Sequence, residues 1–342
     1  MKELINNVPS KSDYKIRSDK IKFSYSGNQN HFQTGHYGID TDVSIAGTLH
    51  IRFSSSEPLL ATKIEIILKG YEKVEWTESY GKRSVTYRAK DVFLNQQFDL
   101  WKTSNLNGNY EQIQNMDIPF EINLPENLPP SIKIDGGEGK INYELIANIN
   151  RKRNLWKFKG SEKWVILSIN LDKYFPSPTD LKPFNWYQFN DSQTISRGLG
   201  YNITLENSIG GPNMPFIINS LLKFHKQDFK ITKIFFGIKE YHKLTTKGKI
   251  SKKSSFYIVE KNIKRDEIYL NSNDEVKLQV KLEIPEWNEK NKKNPCWTIN
   301  DRKHIIVNHK IKIKIHCGGM FTNNIKLENE VEIKNIKLEN HG

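Results

Sequence analysis

The sequence predicts an all-β protein made of two immunoglobulin-like β-sandwich domains in tandem. Three observations carry that expectation. Apolar residues recur at every second position in many short runs: Val43, Ile45, Leu49, Ile51 and Phe53; Ile64, Ile66 and Leu68; Leu278, Val280, Leu282 and Ile284; Val307, Ile311, Ile313 and Ile315. Half-buried strands of this kind need a second sheet to cover their apolar faces. Helical periodicity is scarce, with four alanines in the chain and an abundance of Ile, Tyr, Phe and Thr. The chain also has 342 residues, about twice the usual span of one hydrophobic core.

Taken in chain order, residues 1–20 carry charges every few positions and no apolar core, so they read as a flexible N-terminus and cannot serve as a secretory hydrophobic region. Residues 21–172 form the first predicted sandwich. Its most informative stretch runs from Pro119 through Phe120, Ile122, Leu124, Pro125, Leu128, Pro129 and Pro130 to Ser131, an alternating strand entering a proline-pinned crossing. A turn, Gly136-Gly137-Glu138-Gly139, then launches a strand whose Ile141, Tyr143, Leu145, Ala147 and Ile149 share one face. Between that strand and the next, Trp164 to Leu171, lies Arg151-Lys152-Arg153-Asn154-Leu155-Trp156-Lys157-Phe158-Lys159-Gly160, where Trp156 and Phe158 are expected to pack inward.

From Lys173 to Asn190 the alternation stops at Pro176, Pro178 and Pro183, and 173–190 reads as a linker, packed rather than free because it holds Phe175, Phe184, Trp186 and Tyr187. Residues 191–336 form the second sandwich, followed by a short tail, 337–342. One hairpin is expected there, Ile238 to Leu244 and Ser255 to Lys261, around a lysine-rich turn at 245–249.

The formal charge is +13, with lysine exceeding arginine by 43 to 9. Lysine, isoleucine and asparagine are abundant everywhere, so much of this charge reads as solvated surface. Cys296 and Cys317 are too few for a disulfide framework and lack metal-ligand spacing, which fits a reducing, cytosolic compartment. No stretch approaches the roughly 20 apolar residues needed to span a bilayer. There is no G-x-S-x-G elbow and no H-E-x-x-H, and the glycine turn precedes a strand rather than a helix N-terminus. His304, His309, His316 and Cys317 crowd one region, but His309 and Cys317 share parity with Ile311, Ile313 and Ile315, which favours core positions over ligation. No enzyme activity, cofactor or metal is expected.

The order F-x-I-x-L-P-x-x-L-P-x-S, then G-x-I-x-Y-x-L-x-A, at 120–147 resembles the late strands of the arrestin N-terminal domain. Tyr37 to Leu49 is similar to an earlier family segment. Ile64 to Gly70 with Trp76 resembles the next strand. Ile284-Pro285 with Val307 to Ile315 is similar to the end of the C-terminal domain, except that His309 stands where a tyrosine is often found. The chain looks closest to the arrestin-domain-containing proteins called α-arrestins. Gly47, Gly70 and Gly139 are expected as structural glycines at bends or close approaches.

The resemblance implies a cytosolic, non-catalytic adaptor, peripheral at the plasma membrane or endosomes. Its partners would be cytoplasmic tails of membrane transporters or receptors, in endocytosis, endosomal sorting or ubiquitin-linked trafficking. It also places a crest loop at Thr77 to Ser84, making Lys82 and Arg83 candidate contacts. The residues themselves add Arg151, Lys152 and Arg153 as candidates for phosphorylated tails or anionic lipid, since arginine binds phosphate bidentately. Lys247, Lys249, Lys252 and Lys253, with Lys243, are candidates for an anionic membrane surface at about 1 kcal/mol per cation. No P-P-x-Y peptide is present; Pro129-Pro130-Ser131-Ile132 is the nearest string, so a ubiquitin ligase would be reached through an intermediary. Two alternatives stand beside this reading: a constitutive scaffold subunit of a retromer-like sorting coat, and a basic nucleic-acid-binding β protein, the least favoured of the three.

Overall fold

The computed structural model describes residues 9–26, 31–35, 43–104, 109–153, 160–176, 184–187, 198–212, 214–225, 230–248, 250–269, 271, 273–285, 295–318 and 324–337. These fall into two compact units, Met1–Tyr174 and Phe175–Gly342. Among the described residues, helix is limited to single 3-10 turns such as Lys11–Asp13.

The first unit contains β1 (Tyr14–Ile16), β2 (Ile21–Tyr25), β3 (His31–Gly35), β4 (Ser44–Arg52), β5 (Leu59–Tyr80), β6 (Arg83–Lys102), β7 (Glu111–Ile113), β8 (Asn115–Asn123), β9 (Ile132–Ile134), β10 (Gly139–Arg151) and most of β11 (Glu162–Pro176). A large sheet runs in the order β1-β11-β10-β5-β6, with β3, β7 and β9 paired onto it, and a smaller sheet runs β2-β4-β8. The period-two pattern explains the register. Ile64, Ile66 and Leu68 of β5 lie opposite Ile149, Ala147 and Leu145 of β10, and all six are buried between the sheets. The small sheet covers them with Phe23, Leu49 and Phe120, and Phe23 meets Phe120 edge to face at 6.0 Å.

Gly70, opposite Tyr143, lets two rings close over the strand: a Cβ there would come 2.7 Å from Phe93 and 2.8 Å from Tyr143. The Tyr143 hydroxyl in turn donates to the Pro129 carbonyl at 2.6 Å, pinning the crossing in which Pro129 and Pro130 are buried. Gly47, on β4, sits beside Phe120 and the Ser24 carbonyl. In the glycine turn the left-handed backbone falls on Gly136 and Gly137, whereas Gly139 is the first residue of β10.

The second unit contains β12 (Phe184–Tyr187), β13 (Leu199–Leu205), β14 (Ile209–Gly210), β15 (Phe216–Phe224), β16 (Lys230–Thr245), β17 (Ser251–Lys264), β18 (Glu275–Leu282), β19 (Ile305–Gly318), β20 (Ile325–Ile333) and β21 (Ile336–Lys337), the last paired with the end of β11. One sheet runs β12-β13-β15-β18 and the other β14-β20-β19-β16-β17. Ile203, Leu205, Phe216 and Ile218 of the first sheet pack with Ile234, Phe236, Ile238, Ile311 and Ile313 of the second.

Both units are therefore β-sandwiches. Local order differs from expectation in two places. Residues 9–20 are not a loose lead: Tyr14–Ile16 pairs with β11, its tyrosine oxygen accepting from the Phe23 amide at 3.0 Å. The strand escaped notice because three residues between charges show no periodicity. The expected linker is strand at both ends, with β11 continuing to Pro176 and Phe184–Tyr187 pairing with β13; its other residues lie outside the described set. As an edge strand β12 tolerates neighbouring prolines that would break a central one.

Candidate functional site

The crest segment is almost entirely strand. β5 and β6 pair from Lys63↔Lys102 to Tyr80↔Arg83, so the expected loop 77–84 contracts to a two-residue turn, Gly81-Lys82. Gly81, at φ 63°, supplies the backbone conformation that such a tight hairpin demands. Lys82 and Arg83 are exposed at this tip beside Tyr80, while Trp76 behind them is buried and stacks on Tyr87 at 5.4 Å. The tip thus sits on a stiff base.

Arg151 ends β10, and its guanidinium donates to the Gly160 carbonyl at 3.0 Å, so part of its fork is used to close the connection. Lys152 and Arg153 are exposed beside it. Trp156 and Phe158 lie outside the described residues.

In the second unit the lysine cluster is a strand feature rather than a loop. β16 and β17 are longer than expected, 230–245 and 251–264, and the pairing sets Lys243 opposite Lys253 and Leu244 opposite Lys252. Lys247 is exposed in the turn and Lys249 lies outside the described residues. The same sheet face carries three further like-charge pairs, Lys233 opposite Lys264, Lys239 opposite Lys310 and Lys314 opposite Lys326. Like charges directly opposed across strands destabilise a sheet.

Relief is partial. Lys312 bonds Glu328 at 2.8 Å and Lys310 bonds the same carboxylate at 3.2 Å, while Lys239 lies over the rings of Tyr241 and Tyr257 at 5.4 and 5.3 Å. Burial opposes the charge of Lys312, but hydrogen bonds to Glu328 and Tyr241 outweigh it and raise its pKa. Among the described residues Lys243, Lys253, Lys314 and Lys326 form no ion pair. His316 registers the resulting field: burial, then Lys314 and Lys233, push its pKa below the ordinary 6.5. A groove of about 690 Å³ runs over this face, with Tyr241, Lys243, Lys253, Lys310 and His242 in its lining and the paired Glu328 and Glu330 at the Lys310 end.

Two internal polar clusters complete the picture. In the first unit Lys15 of β1 bonds both Tyr71, at 2.6 Å, and Glu144, and Tyr71 donates to Glu144 at 2.8 Å. Burial alone would raise the Glu144 pKa, yet the bonds from Lys15 and Tyr71 hold it below the ordinary value. In the second unit Glu240, fully buried on the inward face of β16, receives His242 from its own strand and His309 from β19, the latter at 3.1 Å. The two imidazoles keep its pKa lowered against burial. His309 is thus the satisfied core histidine its parity implied, and Cys317 is half-buried against the same core. Glu240 and His242 were missed. The available signal was two polar residues at the inward positions of the series Ile234, Phe236, Ile238, Glu240, His242, Leu244.

Two sandwiches with cations gathered at a hairpin tip and on one sheet face define a binding scaffold. The model of the arrestin (or S-antigen) N-terminal domain matches residues 21–172, which makes this an arrestin-domain-containing chain. The arrestin family consists of non-catalytic adaptors of the trafficking type. No curated protein matches the chain. No helix among the described residues is long and apolar enough to cross a membrane.

Proposed function

We propose that this protein is a cytosolic adaptor that captures cytoplasmic segments of membrane transporters or receptors during endocytosis or endosomal sorting, and that the segments it holds are acidic or phosphorylated. The observation that carries this reading is the set of opposed lysines on the β17-β16-β19-β20 face. Four like-charge pairs cost the sheet stability, and an anionic peptide laid in the groove meets Lys243, Lys253 and Lys310 from two of them. Tyr241 gives such a peptide an apolar wall between the charges. The exposed Lys82 and Arg83 at the β5-β6 tip, and Arg153 beyond β10, are further contacts in the same chemistry. Because Pro129 and Pro130 are buried, a ubiquitin ligase is reached through a bound intermediary rather than through that string.

The test is fluorescence anisotropy with acidic and phosphorylated tail peptides, repeated on the chain carrying Lys243→Ser and Lys253→Ser. The double variant should bind about tenfold more weakly, near 1.4 kcal/mol for two exposed cations. Equal affinity for both chains removes this face from the mechanism. Capture of anionic vesicles but not peptides assigns it to the membrane instead.

A further inference from the structure

We propose that Glu240, His242 and Cys296 form a binding site for a divalent cation of the zinc class inside the second unit. One ligand atom from each residue lies within 4.8 Å of one from each of the others. A tetrahedral zinc with bonds of about 2.0–2.3 Å holds its ligand atoms about 3–4 Å apart, so the ion fits once the Glu240–His242 hydrogen bond opens to that spacing around it. Carboxylate, imidazole and thiolate are the three side-chain donors that zinc takes.

The surroundings divide the carboxylate into two halves. Oε2 of Glu240 accepts the Cys296 amide at 2.9 Å and faces Nε2 of His309 at 3.1 Å. Oε1 is turned to Nε2 of His242. One oxygen therefore anchors the side chain and the other is presented beside the imidazole and the sulfur. Both histidines are braced behind: Nδ1 of His242 lies 3.2 Å from the Ser254 hydroxyl, and Nδ1 of His309 lies 2.8 Å from that of Thr298, which also accepts the Ile333 amide at 2.8 Å. Hydroxyls behind imidazoles fix ring orientation in the manner of outer-shell partners in metal sites.

Charge points the same way. Glu240 is fully buried, and an isolated buried carboxylate is costly. A dication with the Glu240 carboxylate and a Cys296 thiolate sums to zero. On binding, the Cys296 S–H bond breaks and its proton leaves to solvent while the sulfur lone pair forms the metal bond. With the cation bound, Nε2 gives up its hydrogen bond to Glu240 and turns its lone pair to the ion, and the His242 proton moves to Nδ1, donated to Ser254. Cys296 is half-exposed and His242 borders the lysine groove, so the ion has a route in.

The experiment uses the full chain purified from zinc-supplemented culture, with metal counted by mass spectrometry and cobalt substituted for spectroscopy. About one zinc per chain is expected, and cobalt should give visible d–d bands with a near-ultraviolet thiolate charge-transfer band. Glu240 is too deeply buried to be a clean probe, so the variants are Cys296→Ser, Cys317→Ser and Ser254→Ala. Cys296→Ser should abolish the thiolate band and weaken zinc at least tenfold, Ser254→Ala should weaken it about tenfold, and Cys317→Ser should change neither. The proposal falls if the folded wild-type chain holds no zinc, or if wild type and Cys296→Ser hold it equally.

Discussion

The large sheets of the two units turn lysines outward but treat them differently. In the first, lysines also oppose one another, Lys63 with Lys102 and Lys73 with Lys90 and Lys140, but carboxylates lie within reach: Lys15 meets Glu144, Lys63 meets Glu65 and Asp99, Lys102 meets Asp99, and Lys73 meets Glu75 at 2.6 Å. In the second, four lysine pairs oppose one another across strands, and Glu328 and Glu330 pair with Lys310 and Lys312, while Lys243, Lys253, Lys314 and Lys326 form no ion pair among the described residues. A basic residue is thus a fastening in one place and an unspent charge in the other. Composition alone, at +13, cannot tell these apart, because the distinction lies in which carboxylate the fold brings within reach.

The largest expected effect comes from cutting the deepest fastening. Lys15→Met keeps the apolar stem that packs on Tyr71 but removes the charge, leaving Glu144, 9% exposed, with the tyrosine alone. Removing one partner of a fully buried pair costs about 3–5 kcal/mol; since Lys15 is 37% exposed, about 2 kcal/mol is expected in urea unfolding of the full chain. The pH profile sharpens this. The Glu144 pKa lies below its ordinary 4.5 in the fold, so its stabilisation is complete above pH 4.5 and is lost as pH falls through the lowered value. For Lys15 burial lowers the pKa, but bonds to Glu144 and Tyr71 raise it beyond 10.5, so that contribution is present below pH 10.5 and fades as pH climbs past the raised value. An unchanged unfolding midpoint in the variant would mean that β1 is held by its ladder alone.

That fastening was illegible in the sequence, and the reason is physical. Inward alternation marks a strand wherever a core demands it, which is why β4, β5, β10, β18 and β19 could be read from Ile, Leu and Val alone. β1 buries little, so nothing periodic marks it; its attachment depends on a glutamate 129 positions away. The Glu240 cluster was hidden for the opposite reason, since its strand is so plainly apolar that two polar residues pass as noise. His309 alone was placed correctly, because parity is local information and its partners are not. The hairpin tip at Gly81-Lys82 was located, but its length was not, because Thr77 to Tyr80 look like loop until paired with Arg83 to Thr86.

A smaller effect, of opposite sign, is expected from the second unit. Lys253→Glu turns the pair with Lys243 from like to unlike charge, and stability should rise by about 0.5 kcal/mol, read as a higher unfolding midpoint at low salt that converges with wild type as salt is added. A gain of this sign and salt dependence would show that the opposed lysines cost the sheet stability. A loss of stability instead would mean that Lys253 already has a compensating partner, and the contrast between the sheets would dissolve.

The smallest effect tests whether burial, rather than pairing itself, makes a lysine or arginine a fastening. Arg88 bonds Glu75 at 2.8 Å, within the range of a good charge-assisted hydrogen bond, but the arginine is 68% exposed. Glu75 also keeps Lys73, whose hydrogen bond is the leading cause of its lowered pKa, so removing the arginine leaves the carboxylate partnered. Arg88→Ala should therefore leave Tm unchanged within error at physiological salt, since exposed ion pairs lose their Coulomb gain to solvent and to side-chain ordering. If Arg88→Ala instead matched Lys15→Met, distance would decide the matter and depth would not. The lysines of β16 and β17 would then need an explanation other than a missing buried carboxylate.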